Sequence, residues 1–219
     1  MRYLSALGAF GLLAVASAIS TASQSIAQEA ASWEIGPDVR GRNYSVGMPL
    51  KPTPVKRGVW SFDFPQPNAD AGHVHAVTFN PGPLLKASKI IMRYRIDAVR
   101  GVRFAPQETP DQPATVSLYF QRRGDSWSAK GRYEFYRWYA PAQSVKQVAP
   151  GEHQIIVSLS DPQWISVMGK TVVTNPGAFQ AALAETSQIG IAFGGPSGRA
   201  HGAFSTGPAR FTLLEFRVI

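Results

Sequence analysis

The sequence predicts an all-β protein, an antiparallel β-sandwich with one short helix. Three observations carry that expectation. At least eight short segments alternate apolar and polar side chains with the period of 2 that marks a half-buried strand. Clusters of Gly, Pro, Asn and Asp separate them, as turns do. Only one stretch, Gly177 to Glu185, combines helix-forming residues with start signals, because Asn175 can cap it and Pro176 fits its first turn.

In chain order, residues 1–27 read as a secretory signal peptide. Arg2 precedes an apolar run from Tyr3 to Ala18, and small residues at Ala16, Ala18, Ser25 and Ala27 suit a signal peptidase, so the mature chain is expected to begin near Ile19 or Gln28. The run is too short, and too soon followed by polar residues, for a membrane span, so no transmembrane segment is expected in the mature chain. Residues 28–58 are interrupted by Gly36-Pro37, Gly41, Gly47, Met48-Pro49 and Pro52-Thr53-Pro54, and are expected to form an irregular extension lying across the domain.

Residues 59–219 form the sandwich. Val59 to Phe64 is its first strand, ended by Pro65 and Pro67. In His73 to Phe79, Val74, Ala76 and Thr78 oppose His73, His75, Val77 and Phe79. In Ser88 to Ala98, Ile90, Met92, Tyr94 and Ile96 oppose Ile91, Arg93, Arg95 and Asp97, giving one core face and one charged face. Three prolines make residues 101–113 a loop. His153 to Leu159 is a further strand, and Trp164 to Val173 contains a short one. In the helix, Phe179, Ala182 and Leu183 share a face. The strand Gln188 to Phe193, the glycine-rich loop Gly194 to Gly202 and the strand Ala209 to Ile219 close the chain.

The segment Tyr119 to Tyr139 stands apart. It holds eight aromatic residues and five Arg or Lys in a chain that is 11% aromatic. Thr115 to Gln121 and Arg132 to Tyr139 are expected to pair as a hairpin through the turn chemistry of Arg123-Gly124-Asp125-Ser126 and Lys130-Gly131. If Tyr119, Gln121, Tyr136 and Trp138 share the outer face, flat rings lie beside hydrogen-bonding groups, the chemistry of a sugar platform. That register places Phe135 in the core with Tyr133, Arg137 and Tyr139 on its face, opposite Arg132, Glu134, Tyr136 and Trp138, and a buried Arg137 then needs a partner.

The formal charge of +8 points to polyanionic partners, such as acidic polysaccharide or anionic lipid. Nucleic acid is excluded as the expected partner, because the cations are scattered and form neither a basic run nor a recognition helix. An exported chain without cysteine suits a bacterial periplasmic or secreted protein whose stability rests on its core.

The strings VWSFDF, GEHQIIVSLSDPQW, AFQAAL, IGIAF and ARFTLLEFRVI, in that order, resemble the jelly-roll modules of the galactose-binding-like group, including carbohydrate-binding modules and complex I intermediate-associated protein 30-like domains. The resemblance covers most of the chain after Val59. It implies a non-catalytic carbohydrate-binding role, often accompanied by a structural calcium ion.

The candidate ligand-binding residues are Arg93, Arg95, Tyr119, Gln121, Trp127, Tyr136 and Trp138, with Arg199 and His201 at the tip of the glycine-rich loop. Arg93 and Arg95, placed beside Tyr119 and Gln121, would match a carboxylated sugar bidentately. His73 and His75 have a chelating spacing but lack a third ligand, and Asp63, Asp70 or Glu215 would be the oxygen ligands of a calcium ion. No paired carboxylates, nucleophile elbow or Ser, His, Asp set appears. The expected function is therefore binding of an acidic or other extracellular polysaccharide. Two alternatives stand beside it: a jelly-roll lyase using Arg or Gln with Tyr or His on uronate polymers, and an envelope protein whose aromatic face binds another protein.

Overall fold

A computed structural model describes residues 29–219. The expected signal segment lies outside the described residues. The protein is an antiparallel β-sandwich with one α-helix among the described residues.

The first sheet contains β1 (Glu34–Gly36), β4 (Ala76–Phe79), β6 (Thr115–Arg122), β7 (Arg137–Tyr139), β9 (Ile165–Ser166) and β10 (Thr186–Gly194), in the order β1-β4-β10-β6-β7-β9. The second contains β2 (Thr53–Lys56), β3 (Val59–Asp63), β5 (Lys89–Ala98), β8 (Gly151–Ser158) and β11 (Ala209–Val218), in the order β8-β5-β11-β3-β2. The expected irregular extension is thus built into the fold: β1 pairs with β4 and β2 with β3, an edge strand for each sheet. Trp33, ahead of β1, is fully buried, with ring centroids 4.9 Å from Trp60 and 4.6 Å from Phe79.

Between the sheets, β5 contributes Ile90, Met92, Tyr94 and Ile96, as its alternation requires. β6 contributes Val116, Leu118 and Phe120, and β10 contributes Ile189, Ile191 and Phe193. β11 departs from simple alternation. Its pairing to β5 shifts register between Leu213 and Glu215, so Phe211, Leu213 and Phe216 all reach the core. A second slip follows Val74: Val74 and Val77 pack in the main core, while Ala76 packs in a small cluster on the far side of the first sheet. Buried aromatic rings remove roughly 150–250 Å² each from water, which lets a chain without cysteine hold a sandwich together.

The helix α1 (Pro176–Ala184) buries Phe179, Ala182 and Leu183, the face its sequence marks out. Phe179 meets Phe120, Trp138 and Trp164 edge-on or tilted at one end of the core. Asn175 occupies the N-cap without a side-chain cap bond; its amide donates to Thr174 Oγ1 instead. No helix of the described residues is long and apolar enough to cross a membrane.

Candidate functional site

The outer face of the first sheet is hollow at its centre because its central residues are small. Ala76 pairs with Ala192, Ala192 with Ser117, and Gly190 with Thr78 and Tyr119. A Cβ on Gly190 would meet the Val77 carbonyl at 2.1 Å, so only glycine fits there. The floor carries Tyr119 and Tyr139, register partners on β6 and β7 whose rings stack at 5.6 Å. With Ala76, Ala192 and Ala200 they form a second apolar cluster, against which Trp127 packs.

Loops at residues 37–44, 123–130 and 195–202 wall this face into a groove with two compartments. The larger, about 650 Å³, is lined by Tyr44, His75, Trp127, Arg137, Tyr139 and His201, among others. The smaller, about 540 Å³, includes Gln121, Asp125, Gln188, Glu34, Asp38 and Asn43. Trp127 and Arg40 line both.

A charge pair fixes the wall between them. Arg137 Nε lies 3.0 Å from Asp125 Oδ2, with the two side chains 5% and 0% exposed. The contact is not aligned for hydrogen bonding, and both atoms are left without a hydrogen-bond partner. The same guanidinium sits 4.2 Å from the Trp127 ring centre, a cation–π contact. The Asp125 Oδ1 atom accepts the Trp127 backbone N–H at 3.1 Å, which ties the loop to the pair. Burial pushes the Asp125 carboxyl up even with Arg137 beside it.

Backbone strain collects at this groove. Arg40, Trp127 and Ala129 are the non-glycine residues with left-handed φ among those described, at 57°, 60° and 54°, and all three line the larger compartment. A left-handed conformation costs a residue with a side chain roughly 1–2 kcal/mol; Arg40, which is exposed, takes it together with Gly41 in the two-residue turn that joins the paired Val39 and Arg42.

The titratable groups on the floor are kept neutral. His75 Nδ1 lies 2.9 Å from the Ala200 carbonyl, which assigns the proton to Nδ1 and leaves a lone pair on Nε2. That Nε2 is buried without a partner. Burial lowers the His75 pKa to about 4, and the neighbouring His73 and His201 push in the same direction. Burial raises the Tyr119 and Tyr139 phenols, so both stay protonated. At the rim, His201 Nδ1 faces Glu108 Oε1 at 2.7 Å.

The sequence candidates divide. Trp127 and His201 line the larger compartment and Gln121 the smaller. Tyr119 is floor, wholly buried with its ring 6.5 Å from Trp127. Arg199 is half-buried, and its guanidinium donates to the Ala140 carbonyl, so it anchors the loop. Four expectations are corrected. Trp138 pairs with Phe120 on the core face and is 0% exposed. The strand expected over 132–139 is only Arg137–Tyr139, preceded by a 3-10 turn, Gly131–Phe135. That turn carries Tyr136 out of the proposed platform, to lie against Tyr133 and under Arg122. Arg93 and Arg95 lie on the second sheet, not beside Tyr119, and are paired with Glu215 and Asp97.

The groove residues missed in the sequence are His75, Asp125, Arg137, Tyr139, Arg40 and Tyr44. For Arg137 a signal existed: buried, it needs an acid, and Asp125 stands in the adjoining turn. Of the expected calcium ligands, Asp63 is engaged with Arg210 and Glu215 with Arg217. Among the described residues no three His, Asp or Glu side chains converge as a metal site.

The fold and groove define an antiparallel β-sandwich with a walled cleft across one sheet. No family model matches the chain, and no curated protein matches it. One solved structure, from work described as "Prominent members of the human gut microbiota express endo-acting O-glycanases to initiate mucin breakdown", aligns with 90% of this chain and 95% of its own. The two are 12% identical with a TM-score of 0.44, a likeness too low to carry over fold or chemistry.

Proposed function

We propose that the protein is an exported glycan-binding protein whose groove holds an acidic polysaccharide. The observation that carries this reading is the pairing of Trp127 with Arg137 at the junction of two compartments. An indole offers a flat apolar surface to the C–H face of a sugar ring, and Arg40, Arg137 and His201 offer donors to a carboxylate or sulfate. The volume of the larger compartment falls within the usual range for small-ligand sites, roughly 300–1,000 Å³. The net charge of +8 favours encounter with a polyanion.

Affinity electrophoresis and calorimetry against uronate, sulfated and neutral polymers test the reading. Retardation by the acidic polymers, lost in Trp127→Ala, is the expected result. Equal indifference to all three classes would overturn it.

A second reading, eliminative cleavage of a uronate chain, is favoured by the lone pair on His75 Nε2 in the same compartment as the protonated Tyr139 phenol. Such a step moves the proton alpha to the carboxylate onto Nε2. The C–O bond beta to that carboxylate then breaks, and the leaving oxygen takes the phenol proton. Binding ranks first because Nε2 is sealed under Gly202, where an added Cβ would lie 2.9 Å from it. Ultraviolet absorbance of an unsaturated product on incubation with uronate polymer decides for cleavage, and a flat trace decides against it.

A further inference from the structure

We infer that the groove is built for a chain in which an acidic sugar alternates with an uncharged sugar bearing hydroxyl or amide donors, the acidic unit in the larger compartment and the uncharged unit in the smaller. This inference rests on the acidic-glycan reading of the groove and deepens it.

The two compartments differ in charge and hydrogen-bonding character. The larger carries the guanidiniums of Arg40 and Arg137 and the His201 ring, with one carboxylate, Glu108, held by His201 Nδ1 at 2.7 Å, and its one orphaned acceptor, His75 Nε2, sealed under Gly202. In the smaller, Gln121 is 6% exposed and its Oε1 has no hydrogen-bond partner. Asp125 Oδ2, also lining that compartment, is compensated in charge by Arg137 but likewise has no hydrogen bond. Buried acceptors of this kind are costly unless a donor reaches them. A sugar hydroxyl or amide N–H supplies that donor, and a carboxylate does not.

Charge points the same way. Glu34 and Asp38 join Asp125 in lining the smaller compartment, offset by Lys51 and Arg40. Lys51 lies 3.4 Å from Glu34 and is committed to it. A second acidic unit placed there would face like charges at close range, which discriminates against a uniform uronate chain. Trp127 lines both compartments, and its ring is the natural divider between consecutive units of one chain.

Calorimetry on the full chain tests this with three probes: a tetrasaccharide alternating uronate with N-acetylhexosamine, a homo-uronate tetrasaccharide, and the alternating disaccharide. The alternating tetrasaccharide is expected to bind about tenfold tighter than the homo-uronate, the ratio that one well-made hydrogen bond to a buried group gives. Gln121→Leu is expected to erase that preference, bringing the two tetrasaccharides to within about twofold of each other. Gln188→Ala, on a less buried side chain of the same compartment, is expected to narrow the preference in the same sense. Equal affinity for the two tetrasaccharides, or a preference untouched by both variants, overturns the alternating-chain inference alone. No binding of any probe overturns the acidic-glycan reading and this inference with it.

Discussion

The guanidinium of Arg137 lies 4.2 Å from the centre of the Trp127 indole, while its Nε faces Asp125 Oδ2 at 3.0 Å beneath. One side chain therefore joins the floor of the first sheet to the loop that divides the groove. Several consequences of the structure can be measured.

Removing Arg137 leaves Asp125 buried without its counter-charge. Arg137→Ala is expected to destabilise the fold by about 3 kcal/mol, the scale for breaking a buried ion pair. The double variant Arg137→Ala, Asp125→Ala is expected to recover part of the loss, since neither charge is then stranded. Urea denaturation of the three variants checks both statements.

His75 gives the fold a pH dependence. Its pKa falls from 6.5 when unfolded to about 4 in the folded protein, so between those values the unfolded chain binds the extra proton. Stability from this residue is complete above pH 6.5 and is lost as pH falls toward 4, by about 3 kcal/mol in all. His75→Gln is expected to flatten that part of the stability profile, as read by thermal melts across the range.

Gly190 admits no side chain. Gly190→Ala places a Cβ 2.1 Å from the Val77 carbonyl, and two central strands must separate to accept it. A loss of about 2 kcal/mol or more is expected by chemical denaturation.

The two sheets respond differently to substitutions that the sequence treats alike. Trp138→Ala opens a cavity beside Phe179 and is expected to cost about 3–5 kcal/mol. Arg93→Ala breaks a solvent-exposed pair with Glu215 and is expected to change stability by less than about 1 kcal/mol. It is also expected to leave glycan affinity unchanged, because it lies on the sheet opposite the groove. Denaturation and calorimetry on the two variants check the contrast.

Much of the fold was legible in the sequence because period-2 alternation follows directly from burial on one face. Ile90 to Ile96 and the Phe179 face of the helix lie where their spacing puts them. Alternation fails where the period slips, at the Leu213/Glu215 shift of β11 and between Val74 and Val77. It also fails where pairing is too short to leave a pattern, as for β1 and β2 among prolines and glycines. For the site, two of the sequence candidates, Trp127 and His201, line the larger compartment. Arg93 and Tyr119 lie on different sheets, a separation with no signal in the sequence, since alternation assigns a face and says nothing of which sheet a strand joins. Trp138 and Tyr136 changed roles once residues 131–135 coiled into a 3-10 turn, which shortens the strand and resets its register.

The most direct test of the central claim is calorimetric titration of the wild-type protein and Trp127→Ala with one acidic polysaccharide, alongside a melt of each. A saturable heat in the wild type, lost in a variant that still melts cooperatively, is the predicted result. The same heat in both, or none in the wild type, would contradict it.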